Sequence, residues 1–576
     1  MDFWSRSPGG CVSTKFAIRR YDKMSCERLE HAGILRPIAQ ALAARGVSDP
    51  QDLLEDWRSM LPPALLEGSQ KAAEILADAI ERGRHVTVVA DYDCDGATAC
   101  AIAVRGLRMM GLSVDYIVPD RFKLGYGLTP AIVEMAAARE THPDLIITVD
   151  NGIASVDGVR RANELGIDVI ITDHHLPGEK LPDAACIVNP NVVESTFASK
   201  ALAGCGVMFY VLLALRAELR KRGVFTAAEQ PRIDQLSDLV ALGTVADVVK
   251  LDKNNRILVS QGLARIRRGL GCPGIKALFA VAGRDISRAT ARDFAFAIAP
   301  RINAAGRLTE MGVGIECLLA DDDSHAQALA TDLENLNRER RDLEGSMQLD
   351  AVDLLSHMNW EDKCTVTLFD PSWHQGVVGL VASRLKEKTH RPVIAFARDD
   401  ENLLKGSGRS IDGVHLRDAL DRVSKYAPDL IVRFGGHALA AGLTIQEKDL
   451  ERFSILFEKA VAEMVEPEVF DRIVYVDGAL SPEEISFTLI NAMSERIWGQ
   501  GFERPLFAND FTILSQRVIK DTHLKLVLDL AGNRFEGIFF RRSNALPSQV
   551  RLAYRPEVNE YMGRRTIQLV VEAAEA

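Results

Sequence analysis

The sequence predicts an α/β protein of several domains. A parallel sheet flanked by helices comes first, then a long connecting helix, a second α/β unit and a small C-terminal β-barrel. Three observations carry this reading. Between about residues 85 and 190, short β-branched runs alternate with segments of helical spacing, the pattern of a parallel sheet covered on both faces. From Asp321 to Met358 a polar stretch keeps helical spacing throughout, as a connecting helix does. The closing run "RLAYRPEVNEYMGRRTIQLVVEA" alternates in short pieces around Gly563, which suggests a barrel. The chain has 576 residues, too many for one core. The predicted boundaries are an N-terminal segment (1–55), the sheet domain (56–320), the connecting helix (321–358), the second α/β domain (359–464) and the barrel (465–576).

Each element has a local reason. "ILRPIAQALAARGV" and "SDPQDLLEDW" have helical spacing, and Asp49-Pro50 is a helix-start signal. "HVTVVAD" (85–91) is a strand, and "GATACAIAVRGLRMMG" (96–111) is a helix that stops on Gly111. "SVDYIVP" is a strand, and "TPAIVEMAAARE" is a helix opened by Thr129-Pro130. "DLIITVD" (144–150), "SVDGVRRANELG" (155–166), "IDVIITD" and "CIVNP" continue as strand, helix, strand and strand. Helices dominate from about 200 to 295. The second α/β domain reads as strand "CTVTLF", helix "GVVGLVASRLKEK", strand "PVIAFA" and later strand "GLTI".

Apolar residues make up 47% and charged residues 26%, as in ordinary globular chains. No apolar run is long enough to span a bilayer, and the N-terminus lacks the apolar core of a signal peptide. The nine cysteines are scattered without a C-x-x-C pair, which fits a reduced, cytoplasmic setting. The net charge of −11 argues against a general polyanion binder, yet Arg256 to Leu308 carries ten Lys or Arg against two Asp or Glu, a net of +8. That segment is either a solvated basic face or a track for a phosphate backbone. Inside an acidic chain, a track implies a groove.

Acids stand at the ends of the strands. The first strand runs into Asp91, Asp93 and Asp95, the third into Asp150, and the fourth into Asp173-His174-His175. Ligands bind beyond the carboxyl ends of parallel strands, so these groups converge on one rim. Five carboxylates in one cleft repel and raise one another's pKa. Divalent cations relieve that repulsion. Oxygen ligands mixed with imidazole suit Mn²⁺ or Mg²⁺, and bridging-capable carboxylates suggest two ions. Asp247, after an apolar helix, is a further candidate for the same cleft. Cys94 reads as strand-end packing.

The segments "VVADYDCDGATA", "ITVDNGIAS", "TDHHLPG", "VALGTVADVV" and "APRINAAGRL" resemble the motif series of the DHH phosphoesterases. In order and length they resemble the RecJ single-strand-specific exonucleases. "WHQGVVGLVASRL", "GSGRS" and "FGGHALAAGLTI" resemble the DHH-associated domain, and "EVNEYMGRRTIQLVV" resembles the end of the family's OB-like domain. The resemblance covers nearly the whole chain. It implies metal-dependent hydrolysis of single-stranded DNA from the 5′ end to mononucleotides, in recombination and repair. It implies that Asp93, Asp95, Asp150, His174 and Asp247 bind the metals, with Asp150 bridging and catalytic. His175 matches the second histidine, which faces the scissile phosphate. Many members carry a histidine where this chain has Val89, so the resemblance implies either that Asp91 serves the first metal instead or that this metal is held more loosely.

The resemblance also implies substrate contacts. Arg121 and Tyr126 would lie near the 5′ end, with Tyr126 stacking on a base. Arg301, Asn303 and Arg307 flank small residues that let a backbone approach phosphate. Ser407 and Arg409 would form the 5′-phosphate pocket, since an arginine fork suits phosphate, and His437 would touch phosphate. His374 would orient a helix start. The expected geometry is a cleft between the two α/β domains, too narrow for duplex. A single-strand-binding protein and a helicase are the partners the family suggests, with no membrane. Two other readings are a DHH phosphodiesterase for pyrophosphate, short oligonucleotides or cyclic dinucleotides, and a non-catalytic replication scaffold. The scaffold should have lost metal ligands, and this chain keeps them. "WGQGFERPLF" departs from the family's Gly-Asn-Pro-rich version at this point.

Overall fold

The computed structural model describes residues 14–119, 125–399, 403–561 and 563–575. The chain divides into two compact units. One comprises Asp49–Arg338 with Arg496–Arg504, and the other Met1–Ser48, Glu339–Glu495 and Pro505–Ala576. Strand β1 (Thr14–Ile18) opens the described chain, ahead of the two stretches of helical spacing in a segment whose sequence is otherwise mixed.

The first unit is built on β2 (His85–Ala90), β3 (Ser113–Ile117), β4 (Leu145–Val149), β5 (Asp168–Thr172) and β6 (Cys186–Val188). They form a parallel sheet in the order β3-β2-β4-β5-β6. β4 is buried along its whole length, and β2 and β5 are buried at every residue after their first. Their unbroken apolar runs fit strands covered by helices on both faces. One face packs Val89, Ile146 and Ile171 against Ile132, Val133 and Val159 of the helices Pro130–Ala137 and Val156–Glu164. The strand order reverses between β2 and β4, and that switch point is where open α/β sheets bind ligands.

The second unit carries a mixed sheet in the order β10-β11-β9-β8-β7. Its strands are β7 (Val366–Phe369), β8 (Val393–Arg398), β9 (Leu403–Arg409), β10 (Ile431–Gly436) and β11 (Ala440–Gln446). Phe396, Phe453 and Phe457 anchor its core. β12 (Arg472–Val476) pairs in parallel with β1. Arg45 and Asp477 form a doubly hydrogen-bonded pair at 2.6 and 2.9 Å, with side chains 2% and 1% exposed. It ties the N-terminal helices to the chain entering the barrel. β13 (Phe507–Ile519), β14 (His523–Leu530), β15 (Asn533–Phe539), β16 (Gln549–Tyr561) and β17 (Arg564–Ala574) close into that barrel. The parallel sheet, the second α/β sheet and the barrel agree with the predicted fold class.

The helix Asp323–Ser356 runs from residues of the first unit into residues of the second. The segment "RIWGQGFER", read from sequence as part of the barrel region, packs instead with the parallel-sheet unit. Among the described residues no helix is long and apolar enough to cross a membrane. The eight described cysteines are unpaired thiols.

Candidate metal centre and phosphate-binding groups

The rim at the switch point is built in layers. After β2 the chain turns into the helix Cys94–Met109, which Asp93 caps by accepting from the amides of Asp95 and Gly96. Gly96 has no room for a side chain, since a Cβ there would lie 2.6 Å from the Asp91 carbonyl oxygen. Asp95 points inward and accepts from the amides of Gly204 (2.7 Å) and Cys205 (3.0 Å), at the start of the helix Gly204–Lys221. The positive end of that helix favours a carboxylate there.

After β4, Asp150 adopts a left-handed backbone, φ 61°, uncommon outside glycine. This conformation is held by its amide on the Thr172 carbonyl and by close packing with Gly204, where a Cβ would fall 2.6 Å from the Asp150 side chain. After β5, Asp173 receives the amides of Ile153, His174 and His175 and the ring Nδ1 of His175 at 2.7 Å. Asn189 and Asn191 donate to the carbonyls of His175 and His174. Asp173 thus fixes the His175 ring and the backbone of both histidines without being one of the grouped ligands. It and Gly204 are the functional residues the sequence reading leaves unassigned. The Gly-Cys-Gly that opens a long apolar helix was the available signal for Gly204.

The ligand-type atoms of Asp150, His174 and His175, and those of Asp95, His174 and Asp247, lie within 4.8 Å of one another. His174 Nε2 is 3.1 Å from Asp150 Oδ1 and 3.4 Å from Asp247 Oδ2. Asp150 Oδ1 and His174 Nε2 are buried and have no hydrogen-bond partner among the described residues. A buried acceptor left unpaired is costly, and two facing each other are electron-pair donors that suit a divalent cation. Electrostatics agree. Burial and the charges of Asp95, Asp93, Asp91 and Asp247 hold the Asp150 carboxyl well above its usual range. Burial and Asp95 do the same to Asp247. Burial and then Asp93 push Asp91 up to about 8 and Asp95 to about 6. Burial, then His175, lowers His174 to about 4, the neutral form that ligates metal. For His175 burial works against the charge, but the hydrogen bond and charge of Asp173 prevail and raise it to about 9. Asp91 and Asp93 sit outside the two groupings. Asp91 Oδ1 takes its neighbouring amide at 2.7 Å, and Asp93 serves as the helix cap.

The predicted substrate residues divide. Arg121 lies outside the described residues. Tyr126 stands with its hydroxyl 3.4–3.5 Å from the His175 ring, edge-on to it, and is 47% exposed. Asn303 Oδ1 accepts from the Cys94 amide at 2.8 Å, so it braces the acid-bearing turn. Arg301 is buried, with its guanidinium 2.7 Å from Glu334. It reaches into the unit rather than toward a strand outside. The close approach allowed by Gly306 is to the Tyr92 carbonyl oxygen, 2.1 Å from where a Cβ would stand, and not to phosphate. Arg307 is half-buried. Arg256 is buried as well, so part of the +8 segment is interior structure.

In the other unit, Ser407 and Arg409 lie on β9, and Arg409 donates to Ser407 Oγ (3.2 Å) and to the Gly408 carbonyl (2.7 Å). A Cβ on Gly379 would fall 2.8 Å from Ser407 Oγ and 3.1 Å from Arg409 Nη2. The first turn of the helix Val378–Thr389 therefore opens directly onto both donors, the usual setting for an anion. His374 Nδ1 accepts from the Gly376 amide at 3.1 Å, bracing the approach to that helix. His437 is exposed in the turn between β10 and β11.

Comparison with known proteins fits this division. The DHH family N-terminal domain is matched over residues 85–244, the DHHA1 domain over 361–463 and the RecJ OB domain over 476–573. The single-stranded-DNA-specific exonuclease RecJ of Escherichia coli K12 is 46% identical over 93% of this chain and 96% of its own length. RecJ of Bacillus subtilis is 31% identical over 97% of this chain and 70% of its own. The crystal structure of Thermus thermophilus RecJ with Mn²⁺ superposes with a TM-score of 0.83 at 31% identity, covering 98% of this chain and 80% of that one. The same protein with Mg²⁺ gives 0.78 at 29% identity. Three matched domains in one order and 46% identity over 93% of the chain lead to one conclusion: the chain belongs to the RecJ family of single-stranded-DNA-specific exonucleases.

Proposed function

We propose that this protein is a metal-dependent exonuclease that degrades single-stranded DNA from its 5′ end to mononucleotides, and that it works in the cytoplasm in recombination and repair. The observation that carries the reading is the buried pair Asp150 Oδ1 and His174 Nε2, without hydrogen-bond partners among the described residues and grouped with Asp95 and Asp247. Those four would hold Mn²⁺ or Mg²⁺, with Asp93 and Asp91 beside them. Bound there, two such ions lower the pKa of water and neutralise phosphoryl charge. The chain's own residues do the rest. Asp173 grips His175 Nδ1, which leaves the ring's other nitrogen for a phosphoryl oxygen. Tyr126 beside it would stack on a base. Asn303 holds the turn that carries Asp91, Asp93 and Asp95. Arg307 would face the strand, while Arg301 would act only by fixing its helix. Ser407, Arg409 and His437 would bind the 5′-terminal phosphate, which would set polarity. The barrel would lengthen the contact with the incoming strand, and a single-strand-binding protein and a helicase would supply substrate.

The test is product analysis on long single strands labelled at the 5′ or the 3′ end, with Mn²⁺ or Mg²⁺. Duplex, a dinucleotide and pyrophosphate serve as controls. Early release of labelled mononucleotide from the 5′-labelled strand is expected. Earlier release from the 3′ label, or faster hydrolysis of pyrophosphate, would overturn the assignment.

A further inference from the structure

The helix Ser237–Ala246 ends at Asp247, and the next residue, Val248, has φ 62°. That left-handed position after a helix usually belongs to glycine, and a β-branched residue there is strained. Val248 is 61% exposed, so packing of its own side chain does not hold it. The other end of the turn is clamped. The Leu251 amide donates to the Gln500 carbonyl at 2.8 Å. The Leu251 carbonyl accepts from Arg256 Nη1 at 3.1 Å, and that guanidinium lies 4.2 Å over the ring of Phe502. Phe502 stacks on Trp498, with centroids 5.2 Å apart. Gly499 and Gly501 lie where a side chain would meet Leu251 and Lys250, each 2.6 Å from the Cβ position. Asn255 Nδ2 adds a bond to the Lys250 carbonyl.

We propose that Arg496–Arg504 is a positioning strap: by clamping Leu251 it holds the Val248 turn in its strained form and so aims Asp247 at the metal centre. Two separate observations converge here, a strained backbone next to Asp247 and a distant segment that holds the Leu251 amide directly and packs on the arginine bonded to the Leu251 carbonyl. Strain of this kind persists only where its surroundings over-determine it. The strap meets Lys250, Leu251 and Arg256. It acts through the turn, and because it is continuous with the chain leading into β13, it makes metal affinity depend on a segment far from the acids in sequence.

The inference rests on the metal reading of the cluster, and the test separates the two. The full-length chain, stripped of metal, is titrated with Mn²⁺ by calorimetry, and its thermal unfolding is followed by circular dichroism. Phe502→Ala is expected to bind Mn²⁺ about ten-fold more weakly, as loss of an outer support does. Adding Val248→Gly, which removes the strain the strap must hold, should recover most of that affinity without restoring the melting temperature. If Phe502→Ala fails to fold, Gly501→Ala carries the test, with an expected loss of about three-fold. A folded Phe502→Ala or Gly501→Ala that binds as tightly as the parent would overturn the strap, and so would a double variant with no recovery. A parent chain that binds no Mn²⁺ would instead remove the metal reading.

Discussion

The ends of β2, β4 and β5 and the surface of β9 are both polar, but they are incomplete in opposite ways. At the first, Asp91, Asp95, Asp150 and Asp247 crowd together until their carboxyls hold protons well above the usual range, and Asp150 Oδ1 and His174 Nε2 lack partners among the described residues. At the second, Ser407 and Arg409 are braced by their own strand and by the bare backbone of Gly379. Acceptors that repel one another suit cations, and donors at a helix start, held in place beforehand, suit an anion. Loss at the first should therefore destroy turnover, and loss at the second should weaken capture.

The sharpest break of this contrast is Asp150→Asn. It should lower turnover on single-stranded DNA by about a thousand-fold or more, as loss of a ligand central to transition-state charge does, while raising the melting temperature of the metal-free chain. Label release and a thermal melt measure both, and near-normal turnover would end the metal account. Next is Arg409→Ala, which should raise KM for 5′-phosphorylated strands by about a hundred-fold, the order expected when a charged hydrogen bond to phosphate is lost. Its Mn²⁺ affinity should be unchanged; a shift there would mean the two regions are not separate functions.

A pH series probes the acids alone. Folded-state carboxyls raised to about 6 and 8 bind protons that the unfolded chain, near 3.9, has released. Their stabilisation of the metal-free fold is full below about pH 4 and is lost as pH rises through those values. His175, raised to about 9, adds in the same direction, and His174, lowered to about 4, opposes it. Metal needs the deprotonated ligands. Saturating Mn²⁺ should thus raise the melting temperature little at pH 5 and by several degrees, about 5–10 °C, at pH 8. A rise independent of pH would contradict the crowded-acid picture. The smallest effect is expected for Asn303→Ala, which orphans the Cys94 amide at a cost of about 1–2 kcal/mol and should slow turnover several-fold. An unchanged rate would show that the acid-bearing turn needs no outside brace.

Much of this was legible because the relevant signals are local. Strand, acid and helix follow one another within a few residues, and parallel topology then forces Asp95, Asp150 and His174 to one rim. Asp247 could be read only as within reach, because the position of a helix end depends on packing; the fold puts its carboxylate 3.4 Å from His174. Three things were hidden for the same reason. Arginine looks alike whether it faces DNA or Glu334, so the inward turn of Arg301 had no sequence mark. The grip of Asp173 on His175 is a tertiary choice between two adjacent candidates. The packing of Arg496–Arg504 against Lys250 and Leu251 joins segments that share no periodicity.

The pairing of β1 with β12 has a consequence for how the molecule is made. Lys15 meets Asp471, 456 residues further on, and β1 finds its neighbour strand only there. During synthesis the first strand leaves the ribosome long before its partner exists, with Phe16 and its alternating neighbours bare in the meantime. Contacts of such long range form slowly and leave unpaired edges exposed to other chains. Strand β1 must therefore wait unpaired until the chain has been made past Val476, and a ribosome that stalls before that point should leave its edge open to other chains.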